Sequence, residues 1–164
     1  LLRKKGEKAK NTCDSGKRNV KLPQEFEEFL KECDFQFDKT RFLINKDKIY
    51  YLPEYNFDTN GLRIMRNGLL MGELKTKRFE PSQALACFLK AQEYKNVISL
   101  KLEDSCVIKY LKGETLYLED MVNPDVSKLK EGYCLVCVEG YSLGFAKHSN
   151  GTFKNKYLPG WRWM

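Results

Sequence analysis

Six cysteines, one histidine and a run of cations near the carboxy end are the side chains of this 164-residue sequence whose types could do chemistry. Cys134-Leu-Val-Cys137 has the spacing of half a zinc site. It lies within Tyr133-Cys-Leu-Val-Cys-Val138, which reads as a strand, and residues three apart on a strand point to opposite faces. A tetrahedral site needs convergent ligands; with no second Cys-x-x-Cys and only His148 in reserve, no metal centre is expected. His148 stands beside a turn with no nucleophile paired to it, so a surface polar contact is its expected role. Phosphate-binding glycine loops and the Gly-x-Ser-x-Gly elbow are absent. Cys13, Cys33, Cys87, Cys106, Cys134 and Cys137 show no framework spacing and read as free thiols of a reducing cytoplasm.

The cations remain. The last stretch, GFAKHSNGTFKNKYLPGWRWM (144–164), contains Lys147, Lys154, Lys156 and Arg162 and no acid. The net charge of +7 is unevenly placed. Residues 1–21 hold eight Lys/Arg against Glu7 and Asp14, whereas 22–140 hold slightly more acids than bases. Cations of this kind meet phosphates, and neighbouring aromatics offer stacking surfaces for RNA bases. The competing reading is a sheet edge guarded by lysine, but a guard needs one or two lysines rather than a segment purged of carboxylates. For the amino-terminal run a solubilising linker is as good a reading as a polyanion contact.

Several elements must position these residues. Tyr133–Val138 and Tyr141–Lys147 read as strands joined at Glu139-Gly140, and Asn150-Gly151 turns the second into Thr152–Leu158. A two-residue turn makes paired residue numbers sum to 301, so Lys147 faces Lys154, Phe145 faces Lys156 and His148 faces Phe153. Like charges directly opposite destabilise a ladder by about 0.2–1 kcal/mol, which an anion or solvent would relieve. Trp161 and Trp163 share one face of an extended tail and are expected as core anchors.

Upstream, Phe26, Phe29, Leu30 and Cys33 fall on one helical face behind Pro23. Arg41–Asn45 and Lys48–Leu52 read as strands around a Lys-Asp turn. Leu62–Arg66 and Leu69–Leu74 flank the hairpin signal Asn67-Gly68, and Pro81 is expected to open a helix striped by Ala84, Leu85, Phe88 and Leu89. Val97–Leu102 and Thr115–Leu118 read as further strands. Asp104 or Ser105 caps a short helix that Gly113 stops. Strands broken by short, one-sided helices predict an α+β fold. No apolar run approaches the roughly 18 residues that cross a bilayer, so no membrane contact is expected.

Two stretches together resemble a known family. GLRIMRNGLLMGELKTKRFEPSQAL and EGYCLVCVEGYSLGFAKHSNGTFKNKYLPGWRW are similar to the C-terminal part of RsmF-type ribosomal RNA cytosine-5 methyltransferases, the Sun/Nop-related enzymes that use S-adenosylmethionine. The first is carried by Gly68–Leu70, Gly72 and Arg78–Ser82. The second is carried by Gly140, Tyr141, Leu143, Gly144, Lys147, Lys154, Asn155, Pro159, Arg162 and Trp163. Gln83 stands where the family often has His. Leu1-Leu2-Arg3-Lys4 is similar to the end of the catalytic domain's last strand, and Leu rather than Met at residue 1 is expected of a segment that starts inside a longer protein. The Pro-Cys and Thr-Cys catalytic motifs of the family are not matched; Thr12-Cys13 lies in a Lys-rich connector, without the ordered electropositive pocket that a thiolate needs.

The resemblance implies a small α/β adaptor followed by a PUA-like mixed β-barrel with short helices. The expected boundaries are 1–22 for the end of a catalytic domain and its basic linker, 23–90 for the adaptor and 91–164 for the RNA-binding domain. It implies a cytoplasmic monomer that holds ribosomal RNA for the parent catalytic domain in cis. S-adenosylmethionine would belong to that domain and no cofactor to this chain, and the segment itself would not be catalytic. Lys147, Lys154, Lys156 and Arg162 would meet phosphates, while His148, Asn150 and Asn155 would touch sugar or base edges. About four phosphates give an expected slope of log K on log salt near −3 to −4. The alternative is a protein-interaction module docked on a ribosomal protein or on the parent's own catalytic domain.

Overall fold

The computed structural model describes residues 21–54, 61, 67–122 and 129–164. The basic connector with Thr12-Cys13 and the expected strand Leu62–Arg66 lie outside these residues.

The architecture is α+β, with few short helices and two sheets. Helix α1 (Gln24–Leu30) follows Pro23, which stands at the N-cap one place ahead of the first turn. It buries Phe26 and Phe29 against β1 (Phe42–Asn45) to β4 (Arg78–Pro81), an antiparallel sheet in the order β1-β2-β3-β4. The Lys-Asp turn between β1 and β2 (Lys48–Tyr51) forms with Lys46 at φ 56°. β3 (Leu69–Lys75) has β2 on one edge and β4 on the other, joined to β4 through a turn at Thr76-Lys77; the partner strand expected across Asn67-Gly68 lies outside the described residues. Pro81 closes β4 rather than opening a helix. Helix α2 (Gln83–Phe88) starts at Ser82, whose hydroxyl caps the Leu85 amide at 3.0 Å.

The second sheet has the order β5-β7-β8-β9-β6 and curls into a half-barrel. β5 (Val97–Leu100) runs parallel to β7 (Gly132–Val138), and every other pairing is antiparallel. Helix α3 (Ser105–Leu111) is capped by Asp104, which accepts from the Cys106 amide at 2.8 Å, and stops at Gly113 with φ 82°. β6 (Leu116–Tyr117) is short and edges β9 (Thr152–Asn155).

Two cores result, divided by the β7–β8 hairpin. Cys134, Val136 and Ala146 face α3, whereas Leu135, Cys137 and Phe145 face α1 and α2. Cys134 and Cys137 therefore point into different cores, as the strand alternation requires. The adaptor-side core is shared by both sheets: the Phe145 ring lies 6.1 Å from Phe29 and 5.6 Å from Tyr94. Helix α2 is tied to β8 (Tyr141–Ser149) by polar groups as well. The Ser142 hydroxyl lies 2.7 and 2.8 Å from the carbonyls of Ala86 and Leu89, and Gln83 Nε2 donates to the Leu143 carbonyl. Gly144 has to be glycine there, because a Cβ would overlap the Tyr110 hydroxyl.

Candidate functional site

The site grows from the β8–β9 turn. Asn150 (φ 48°) and Gly151 (φ 71°) both adopt left-handed backbone, the conformation of a two-residue hairpin turn. The register that follows pairs Lys147 with Lys154 and His148 with Phe153. The ladder ends at Asn155 rather than running to Leu158, although the Lys156 amide still donates to the Phe145 carbonyl at 3.1 Å.

Directly opposite residues share a face, and Lys147 is also opposite Tyr133 of β7. Tyr133, Lys147 and Lys154 thus form a row across three strands, on the side of the sheet where Phe145 is buried. Both lysines are exposed, and among the described residues neither lies within ion-pair distance of a carboxylate. Burial pushes the Tyr133 phenol up to about 12, with Glu80 adding to the rise and Arg78 opposing it, so the ring stays neutral beside the ammonium groups.

Lys156 continues this face but is not alone. Its ammonium lies 3.6 Å from Glu80 of β4, whose carboxylate also holds Arg78 at 3.1 Å. Alternation along β4 explains the geometry: Phe79 is buried against Phe26 and Phe29, so Arg78 and Glu80 project to the other side. Between α1, β4 and the start of β7 lies a groove of about 360 Å³. It is lined by Phe29, Tyr94 and Tyr133, by the cations Lys77, Arg78 and Lys130, and by the acids Glu25 and Glu28 of α1, Glu32 just after it and Glu131 just before β7.

The remaining expected contacts separate from this face. Arg162 packs on Gly113 at the end of α3, where a Cβ would overlap its guanidinium, and donates to the Tyr157 carbonyl at 3.2 Å. Helix α3 covers the opposite side of the sheet, so Arg162 does not join the lysines. Asn155 is bound into the fold: its Nδ2 donates to Tyr110 (2.8 Å) and Glu114 (3.0 Å) carbonyls, and its Oδ1 accepts from the Tyr157 amide (2.7 Å). His148 stacks on Phe153 at 4.5 Å. Its Nδ1 lies 2.8 Å from the Lys130 carbonyl, and its Nε2 accepts from the Gly151 amide at 3.3 Å, so both ring nitrogens brace the turn. Asn150 keeps an exposed side chain, while its amide donates to Glu131 at 2.8 Å. Trp161 and Trp163, expected in a core, are 53% and 55% exposed instead. The tail leaves β9 after Asn155 and closes against Leu111 through the Trp163 amide, which places the indoles at the margin.

Arg78, Glu80 and Tyr133 are the residues that sequence reasoning missed. Tyr133 was reachable, because it sits opposite Lys147 in a hairpin whose turn is legible. Arg78 and Glu80 carry no local signal, since only tertiary packing brings β4 to β8. No thiol at the site is poised for nucleophilic work: burial holds Cys33 and Cys134 near 12 and Cys106 and Cys137 near 11. Among the described residues no three potential ligands cluster as a metal site, and no helix is long and apolar enough to cross a membrane.

Comparison with known families bears on the same residues. Residues 28–89 match the model of the RsmF rRNA methyltransferase first C-terminal domain, and residues 97–163 match the methyltransferase RsmF PUA domain. No curated protein matches the chain. The first match spans α1 to α2 and the second β5 to the tail, so the acid-bridged face is built from both. By these two adjoining domains the chain belongs to the C-terminal region of the RsmF-type methyltransferases.

Proposed function

We propose that this region holds ribosomal RNA for a cytosine-5 methyltransferase, with the Tyr133–Lys147–Lys154 row as the seat of the phosphate backbone. One observation carries the reading: two lysines stand directly opposite on an exposed face without an acid partner among the described residues. Such a pair costs the hairpin about 0.2–1 kcal/mol unless an anion lies across it. Lys156 and the edge of the neutral Tyr133 ring extend the seat, and Asn150 projects from the turn toward sugar or base edges. His148 and Asn155 contribute by holding the turn and the strand end in shape. S-adenosylmethionine and the attacking cysteine would belong to the catalytic domain, which would extrude the target base from its stack.

The test is a binding titration of the chain with RNA across salt concentrations. Phosphates met by Lys147, Lys154 and Lys156 contribute about −2 to −3 to the slope of log K on log salt. K147A/K154A is expected to flatten it by about 1.5. A salt-independent affinity, or binding that survives the double substitution, would overturn the reading in favour of a protein-docking module.

A further inference from the structure

Glu80 pairs with Lys156 on the lysine face, and it belongs to the adaptor. It sits between two cations of different domains, 3.1 Å from Arg78 and 3.6 Å from Lys156. All three side chains are partly solvated, with 57%, 31% and 29% of the Arg78, Lys156 and Glu80 side chains exposed. One partly exposed carboxylate oxygen, Glu80 Oε1, is shared by both cations, the place and charge that a phosphate oxygen would take. Next to Arg78, the groove is lined by Lys77 and Lys130 and by the acids Glu25, Glu28 and Glu32. A cationic path thus runs from Lys154 and Lys147 past Lys156 to Arg78.

We propose that the phosphate-binding surface spans both domains, with Arg78 as its adaptor-side end and Glu80 as a built-in counter-anion that a phosphate displaces. This rests on the RNA reading above and adds the adaptor as a direct participant in binding. The geometry behind it is the shared core: Phe79 of β4 packs on Phe29, and Phe29 packs on Phe145 of β8. Glu80 then has two effects. It keeps Arg78 and Lys156 aligned when no ligand is bound, and it taxes every ligand that must push it aside. Removing its charge should strengthen binding, which a residue of merely structural value would not do.

The experiment measures affinity of the whole chain for a single-stranded and a duplex RNA of equal phosphate number, for wild type, R78A, E80Q and K147A/K154A. Thermal melts run alongside to confirm folding. R78A is expected to weaken binding about three- to tenfold at low salt and to reduce the salt slope by about 0.7–0.9, the share of one phosphate. E80Q is expected to tighten binding about two- to fivefold, the sign that sets this inference apart from general charge loss. If K147A/K154A weakens binding while R78A and E80Q leave it unchanged, the path does not cross the domains: the inference fails and the RNA reading stands. Should E80Q weaken binding, Glu80 is a positioning residue and not a displaced anion, which overturns the proposal. A chain that binds neither RNA overturns both readings.

Discussion

Asn155 and Glu131 show how single side chains hold the β8–β9 hairpin in its working shape. Asn155 joins β9 to the end of α3 with two hydrogen bonds, to the Tyr110 and Glu114 carbonyls, and accepts a third from the Tyr157 amide. Asn155→Ala leaves two carbonyls and an amide without that partner and should cost about 1–3 kcal/mol. A fall in Tm with an unchanged salt slope of RNA binding is the expected outcome; a changed slope would mean that Asn155 touches the ligand. Glu131 accepts from the Asn150 amide, and that hydrogen bond is the main reason its carboxyl lies below its ordinary 4.5. Because the folded value is the lower one, the contact is present above the ordinary range and is lost as pH falls through the folded value. The Asn150 amide resonance should therefore titrate with a midpoint below 4.5, and Glu131→Gln should abolish that titration. Residue identity alone announced neither role, since Asn and Glu in an exposed turn serve ligands and backbones equally well.

At the scale of the element, the hairpin carries a conflict between stability and function. Lys147 and Lys154 repel each other across β8 and β9. Lys154→Glu turns the repulsion into attraction and should raise stability by roughly 0.2–1 kcal/mol while lowering RNA affinity. A melting curve and a binding titration on one sample check both signs; an affinity that rose with stability would count against the phosphate seat. This hairpin was legible in the sequence because Asn-Gly demands left-handed backbone at both turn residues, which sets the register for the strands. The helices were legible for a similar reason: the Phe26, Phe29 spacing of α1 and the Asp104 cap of α3 are local signals. The strand expected across Asn67-Gly68, Leu62–Arg66, lies outside the described residues, and β3 takes its described neighbours from β2 and β4, the first of them distant along the chain. A turn signal states how the chain bends, and which strand edge gains most by pairing depends on the apolar faces around it.

The whole molecule depends on Phe145. Its ring is buried in the adaptor-side core, while its carbonyl accepts from the Tyr110 hydroxyl at 2.9 Å and the Lys156 amide at 3.1 Å. One residue thus touches the adaptor, helix α3 and the strand end that carries the lysines. Phe145→Ala should cost about 3–5 kcal/mol by the cavity it opens. The wild-type chain is expected to melt in a single transition that both sheets share, followed by circular dichroism together with tyrosine fluorescence. Two separated wild-type transitions would show that the adaptor and the half-barrel do not share a working core.

The sequence by itself determined the α+β class, the β8–β9 hairpin register, the cap of α3 and the gathering of Lys147, Lys154 and Lys156 on one side. Each of these follows from backbone geometry or side-chain period acting over a few neighbouring residues. Only the tertiary structure decided which acid meets those cations, why Arg162 lies on the far side of the sheet, and how Asn155 and His148 come to brace the fold. Glu80 and Lys156 lie far apart along the chain. Their meeting depends on Phe29, Tyr94 and Phe145 closing one apolar core, a long-range packing choice that no local signal records.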